Sequence, residues 1–489
     1  MVRSARGLRL SAETKETTRS IGWAFLDSGG QTLLSILFVL CITRFLTPDE
    51  LGVNTLALTF VTMLGGILDA LFSDAIARGR GVSTQHIDAA FTVSLLLGLG
   101  FCGLCWAAAP MLAGFFGDRR LEGIISVSSL SLPIAGITSV IAAQMRRNLQ
   151  FKHLALRSSI GRVFGMSAGI VAAFLGCGVW SIVIQQIIAA LAALAVTCRL
   201  TPRWPRIDFS FWSLRHLMAF AASSVLMQII WLTNLRIFLG FAGYSLGAAE
   251  LGFIGLGLQV ADTLNAPLVS TANNVSVPLF TRRLDDLAAF RVLMAQAMQW
   301  TCIAGFFVLT GVICLVDLIV GAGFGARWAG AVPLIQIFCA LSMVRLMTLF
   351  WGNAMTANGR PHYSVVWFLC SLMATGIGGY LFVPLGLVAA ALVWFGQFAV
   401  TVPVGALLVK RAIGIPIREQ IAPVFPAAAA AVAMTAVIFG IRTVFPAESG
   451  LFAALILGGL GSVAYGLVVC LLVGGNLPVF GGCRVIGSL

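Results

Sequence analysis

Arg345 stands inside CALSMVRLMTLFW (339–351), an apolar run that continues on both sides. A permanent cation in the middle of a membrane helix costs roughly 2.5–3.5 kcal/mol on insertion scales, so something must offset it. Asp27, Asp69 and Asp262 also sit within apolar runs, where a carboxylate is a candidate for taking up H⁺ or holding Na⁺. Arg236 is a further intramembrane cation, and Arg162 lies five residues into a run from Arg157. His86, His153, His216 and His362 fall in the polar segments between runs. Cys102 and Cys105 form a CxxC inside an apolar helix with no histidine near, which reads as packing rather than metal or redox chemistry.

The elements that hold these charges are membrane helices. The chain is 59% hydrophobic and only 10% charged, where a soluble domain carries about 25% charged residues. Apolar stretches of 20 or more residues recur from Ile21 onward, and at about 20 residues per span they predict an all-α integral membrane protein with about fourteen transmembrane helices. The polar, basic start and the long first apolar run do not read as a cleaved signal. With both termini on one side, that side holds 23 of the 31 Lys and Arg, the other side holds five, and Arg162, Arg236 and Arg345 lie within spans. The excess marks the cytoplasm, so the expectation is N-in and C-in. It also explains the net charge of +13 without nucleic acid.

An internal repeat sets the domain plan. ELGVNTLAL begins at Glu50 and ELGFIGLGL at Glu250; GCGVWSIVI opens span 6 and PLGLVAAAL opens span 12. The shifts are 200 and about 208 residues, or six spans. Six is even, so both copies run in the same direction and a pseudo-twofold axis follows the membrane normal. The expected division is a tail at 1–19, a six-helix lobe at 20–198, a linker at 199–215, a second six-helix lobe at 216–410, and two extra spans with a tail at 411–489.

Polar stripes at helical spacing mark cavity walls or helix contacts. They occur on span 1 (Asp27, Gln31, Ser35), span 2 (Thr55, Thr59, Thr62, Gly66, Asp69, Ser73), span 7 (Ser223, Ser224, Gln228, Asn234) and span 8 (Gln259, Asp262, Thr263, Ser270, Asn273), the last expected to be broken by Pro267 and Pro278. The same pair of helices in each lobe suits a central hydrophilic cleft. Arg345 is fifteen residues from Arg360, about 22 Å along a helix and so near mid-depth. Ser342, Thr348, Gly352 and Thr356 share its face, which is expected to meet a watered space. An ion pair with Asp262 is the rival explanation for Arg345.

RFLTPDELGVNTLAL (44–58), RRNLQFKHLALRSSIGR (146–162), GVWSIVIQQ (178–186) and MTANGRPHYSVV (355–366), taken with the span plan, resemble a polysaccharide-type flippase of the multidrug/oligosaccharidyl-lipid/polysaccharide exporter superfamily. The resemblance implies a cavity that opens alternately to each side of the bacterial inner membrane. It implies, as cargo, an oligosaccharide on an undecaprenyl pyrophosphate carrier, for exopolysaccharide or lipopolysaccharide biosynthesis. Arginine pairs with phosphate in bidentate fashion. Arg345 is therefore the expected contact for the pyrophosphate, with Arg236, Arg78 and Arg147 as further candidates. Asp27, Asp69 and Asp262 are the expected ion-coupling set, for H⁺ or Na⁺, and no cofactor is expected. Membrane lipids, a polysaccharide polymerase and a chain-length regulator are the candidate partners. The alternative is a cation-coupled exporter of drugs, small molecules or lipids. An enzyme would need a large outer loop, and the outer loops are mostly about ten residues or fewer.

Overall fold

The computed structural model describes residues 30–72, 76, 83–148, 150–201, 203–208, 229–230, 232–281, 286–358, 361–444 and 451–474. All regular structure among them is helical. Among the described residues, ten helical stretches are long and apolar enough to cross a membrane. Helix makes up most of the described residues in each of the expected spans. The four that fall outside the ten do so for visible reasons. Two, Gly30–Phe45 (α1) and 232–246 (α8), are described only over short lengths. Phe151–Phe174 (α6) carries Lys152, Arg157 and Arg162, and Ala248–Thr281 (α9) carries a polar stripe with Glu250 and Asp262.

Local chemistry fixes the helix ends. Pro48–Leu71 (α2) starts at a capping box: the Thr47 amide donates to Glu50 Oε2 at 2.8 Å, and the Glu50 amide donates back to Thr47 Oγ1 at 3.3 Å. Two orphan donors are thereby satisfied, and Pro48 occupies the first turn, where no amide is needed. Thr84–Phe116 (α3) stops at Gly117, whose φ of 72° is the left-handed closure that glycine adopts at low cost. Span 4 is broken into Arg120–Ser128 (α4) and Ser131–Arg147 (α5). Pro133 cannot donate to the Ser129 carbonyl, and Ser129 and Ser131 donate their hydroxyls to Ser126 O and Ser128 O, each at 2.7 Å. The opposite happens in α9. It runs unbroken through Pro267 and Pro278, against the expected breaks. Membrane helices tolerate proline because neighbouring groups, not water, take up the released carbonyl.

The chain divides into two compact units, 1–255 and 256–489, with the division inside α9. In the first, α6 packs on Trp180–Leu200 (α7) through a glycine line. A Cβ on Gly161 would lie 2.9 Å from Ala189 O, and one on Gly165 would lie 2.6 Å from Gln185 O. Such small-residue seams let backbones close up where lipid supplies no hydrophobic drive. The same unit holds a reciprocal crossing at the start of the repeat. A Cβ on Gly52 would sit 1.7 Å from Ala248 O, and one on Gly252 would sit 1.8 Å from Pro48 O. The contacting pairs are 52 with 248 and 252 with 48, which exchange under the 200-residue shift.

The second unit is built around Leu287–Ile319 (α10), Val332–Ala357 (α11), Pro361–Phe382 (α12) and Leu387–Ile413 (α13), followed by the short Ile417–Ile421 (α14), then Phe425–Val444 (α15) and Leu451–Gly474 (α16). α11 is pinned on two sides. Fully buried Leu346 fills the notch at Gly305 of α10, and fully buried Trp351 lies on Gly405 of α13. Neither notch accepts a methyl group: the added Cβ would meet Leu346 at 2.2 Å and Trp351 at 2.9 Å. The expected packing role of Cys102 and Cys105 agrees with their burial in α3, where Cys102 Sγ lies 3.4 Å from Ser129 Oγ.

Candidate functional site

Arg345 is held by the two anchors just described, Leu346 and Trp351, which follow it on α11. α9 crosses α11 two turns away, where Gly257 admits the ring of Phe338, with an added Cβ 2.8 Å from Cδ2. That crossing brings Asp262 to Arg345: Nη1 donates to Oδ1 at 3.0 Å. The pair is open, with 39% of the Arg345 side chain and 55% of the Asp262 side chain accessible. Around Asp262 the exposed residues of α9 are Gln259, Ala266 and Ser270, at helical spacing. Asn265, off that line, is buried. The span-8 stripe is thus an accessible face over 259–270. Across the pair, Ser342 and Thr348 are buried, and Thr348 Oγ1 donates to Arg345 O at 3.1 Å. Those two belong to helix packing, which corrects the expectation that they extend the watered face. Shared i±3 spacing places residues on one side of a helix but does not say how far a neighbouring helix covers it.

An ion pair this open is screened and contributes about 0–1 kcal/mol to stability. It still solves the problem that the sequence poses. A guanidinium within a membrane helix has a counter-charge and an accessible surface, so its insertion cost is offset without sealing it from ligands.

The first unit carries a second charged group. Asp69, exposed near the end of α2, lies within electrostatic reach of Arg157 on α6 and Arg146 on α5. The sequence reading placed Arg157 and His153 in cytoplasmic segments. Both lie inside α6, which starts at Phe151, and both are half-buried. The signal for the earlier start was present in the apolar residues Phe151, Leu154 and Ala155, at helical spacing across the charges.

The remaining candidates divide clearly. Arg147 is half-buried at the end of α5, and Arg236 is half-buried on α8 with its Nε shut from solvent. Asp27 and Arg78 lie outside the described residues. Gln31 and Ser35 of the span-1 stripe face α6: Gln31 Nε2 donates to Ser158 Oγ and Arg162 Nη1 donates to Ser35 Oγ, each at 3.1 Å. On α2, Thr59 is buried, Thr62 and Asp69 are exposed, and a Cβ on Gly66 would strike Leu232 at 2.7 Å. The span-2 stripe is therefore part seam and part open face. Beyond the spans, Arg120 forks onto Asp118 and reaches Asp49 at 2.7 Å. Hydrogen bonds from Arg120 hold the Asp118 carboxyl below the usual carboxylate range. This clamp is present above the unfolded carboxylate value and is lost as pH falls through the lowered one.

Sequence and structure comparisons place these features among known proteins. Residues 41–333 match the family described as polysaccharide biosynthesis protein. The chain is 23% identical over 327 residues to the succinoglycan biosynthesis transport protein ExoT of Rhizobium meliloti (strain 1021), covering 67% of this chain and 66%, just under two thirds, of that one. It is 19% identical over 375 residues to the teichuronic acid biosynthesis protein TuaB of Bacillus subtilis (strain 168), covering 76% of this chain and 78% of that one. In three dimensions it is similar to the lipid II flippase MurJ in an inward closed conformation, with a TM-score of 0.75 at 13% identity, over 92% of this chain and 98% of that one. The likeness to MurJ is one of fold. The family match spans more than half of the chain: this protein belongs to the polysaccharide biosynthesis protein family.

Proposed function

We propose that this protein is an alternating-access flippase. Its cargo is an oligosaccharide on an undecaprenyl pyrophosphate carrier, moved across the bacterial inner membrane for polysaccharide assembly. The observation that carries the reading is the open Arg345–Asp262 pair, a fixed guanidinium with an accessible surface inside a membrane helix. Arginine offers planar, bidentate hydrogen bonding that matches phosphate. Asp262 keeps the site neutral while it is empty, and a pyrophosphate competes with it for the guanidinium. The same pairing counts against an exporter of cationic drugs, which would want an acidic cleft rather than an acid already balanced by an arginine. Cells that lose this protein are expected to accumulate lipid-linked oligosaccharide in the inner leaflet and to stop export. Continued export without accumulation would remove the reading.

Support for the two-lobe plan of fourteen spans comes from the shared 200-residue offset and from the reciprocal Gly52 and Gly252 contacts, which a twofold axis produces in pairs. The charge bias makes both termini cytoplasmic. Reporter fusions after Leu46 and Ala248 should then read as outside, and fusions after Gly81 and Arg283 as inside. A cytoplasmic reading at Ala248 contradicts the plan.

Asp69 is the proposed coupling carboxylate, with Asp27 as its partner for H⁺ or Na⁺. It is exposed near the end of a membrane helix and faces two arginines across the unit. Asp69→Asn should uncouple export from the ion gradient at unchanged membrane expression. Normal export that still responds to the gradient removes Asp69 from this role. A polysaccharide polymerase and a chain-length regulator are the partners that this function would serve.

A further inference from the structure

Just past the end of α7, residues 203–208 run without regular structure along the side of α3. Two side chains of α3 hold their backbone. The Arg206 amide donates to Asp88 Oδ1 at 3.0 Å, and the Asp208 amide donates to Thr92 Oγ1 at 2.9 Å. Asp88 and Thr92 are four residues apart and so on one face of α3, which fastens the segment along the first turns of that helix. α3 has 33 residues, or about 50 Å, against a hydrocarbon core of about 30 Å. The surplus length and the charge of Asp88 put those turns at the level of the lipid headgroups. Held there, the segment exposes Arg203, Trp204, Arg206 and Ile207, with Ile207 66% accessible. Topology explains arginines on the inner side. It does not explain a tryptophan and an isoleucine exposed between and beside them on a backbone that two side chains tie down. Tryptophan is enriched where one end of the ring meets hydrocarbon and the other meets water.

We propose that residues 203–207 form a docking surface for the acidic phospholipids of the inner leaflet. Arg203 and Arg206 donate to headgroup phosphates, and Trp204 and Ile207 enter the boundary between headgroups and acyl chains. Basic and apolar side chains interleaved on a fixed backbone match a lipid surface, which presents anionic charge and hydrocarbon side by side. A free phosphate presents charge alone and leaves Trp204 and Ile207 in water. The inference rests on the proposed topology only for the leaflet that the surface meets.

The test uses the full-length protein and two readouts. In detergent, bound lipid is counted by native mass spectrometry as phosphatidylglycerol or phosphatidylcholine is added. A basic residue near an anionic lipid surface contributes roughly fivefold in affinity. Arg203→Gln with Arg206→Gln should therefore weaken binding of the first phosphatidylglycerol at least about tenfold and leave phosphatidylcholine binding unchanged. The charge-matched control is Arg119→Gln with Arg327→Gln, two exposed arginines on the proposed outer side, and it should bind phosphatidylglycerol like the unaltered protein. Excess inorganic phosphate should not displace the lipid. The second readout needs no variant and so does not depend on how a mutant folds. Hydroxyl-radical oxidation of Trp204, mapped by peptide mass spectrometry in nanodiscs, should fall at least about threefold when phosphatidylglycerol replaces half of the phosphatidylcholine. Unchanged phosphatidylglycerol binding in the Arg203 and Arg206 variant, the result expected of a surface kept for a protein partner, overturns the proposal. So does an equal loss in the control pair, displacement by phosphate, or unchanged oxidation of Trp204. None of these results measures transport, so each leaves the flippase reading standing. Reporter fusions that place Arg206 outside, with phosphatidylglycerol still bound there, overturn the inner leaflet as the one it meets.

Discussion

Arg345→Ala should nearly abolish polysaccharide export while leaving the protein folded and inserted. A charge-assisted hydrogen bond contributes roughly 1.5–3 kcal/mol, and each 1.4 kcal/mol is about tenfold in affinity. Loss of the guanidinium is therefore expected to weaken cargo binding about tenfold to a hundredfold. Arg345→Lys keeps the charge but loses the planar fork, so it should also be impaired. Stability should change by no more than about 1 kcal/mol, because the partners are 39% and 55% accessible. That small cost separates a ligand site from a structural pair. Breaking a buried pair costs about 3–5 kcal/mol, and removing both partners recovers much of it. If the pair were structural, Arg345→Ala with Asp262→Ala would restore export. The open geometry expects the double variant to stay inactive at normal membrane expression. Restored export in the double variant, or full export in Arg345→Ala, would contradict the role given to this residue.

The glycine crossing carries the second large effect. At Gly52 and Gly252 the atom that a methyl group would strike is a backbone carbonyl oxygen, at 1.7 Å and 1.8 Å. A side chain can change rotamer, but a carbonyl moves only with its helix. Overpacking a well-packed site costs about 1–3 kcal/mol and occasionally more. Gly52→Ala and Gly252→Ala are each expected at or above the upper end of that range, with export lost. The reciprocal geometry makes a sharper statement. The two variants should have similar effects, and the double variant should cost less than their sum, because the first substitution already separates the helices that the second would push apart. Gly100→Ala is the control, since nothing lies within 4 Å of its added Cβ and alanine is the better helix former. Thermal unfolding in detergent measures all four. Fully additive losses at 52 and 252 would show that the two contacts are independent rather than one crossing.

Much of this was legible in the residues. Apolar run length gave the helices, and the lone charge in CALSMVRLMTLFW gave Arg345 and its rival explanation, the pair with Asp262 that the structure forms at 3.0 Å. The ELG repeat located the crossing helices, although not the contact itself. The structure then settled what depends on neighbours. Ser342 and Thr348 share a face with Arg345 yet are covered. Pro267 and Pro278 do not break α9, since a membrane helix has no water competing for the carbonyls they release. Pro133, with serines around it, does break span 4, because local hydroxyls offer its backbone an alternative. The helix start at Phe151, which takes in His153 ahead of Arg157, was not read from the residues. Their charges were read as a boundary, but α6 passes through them, and only the packing of α6 reveals which of their nitrogens are shut from water.

Transport itself is the central claim, and reconstitution tests it most directly. The purified protein is placed in liposomes with a polyprenyl pyrophosphate-linked oligosaccharide in both leaflets, and the sugar is oxidised with periodate, which does not cross the bilayer. In protein-free liposomes only the outer-leaflet sugar reacts. With this protein present, the inner-leaflet sugar should also become reactive over time, and with Arg345→Ala it should stay protected. Inner-leaflet sugar that remains protected with the unaltered, correctly folded protein would contradict the proposed function.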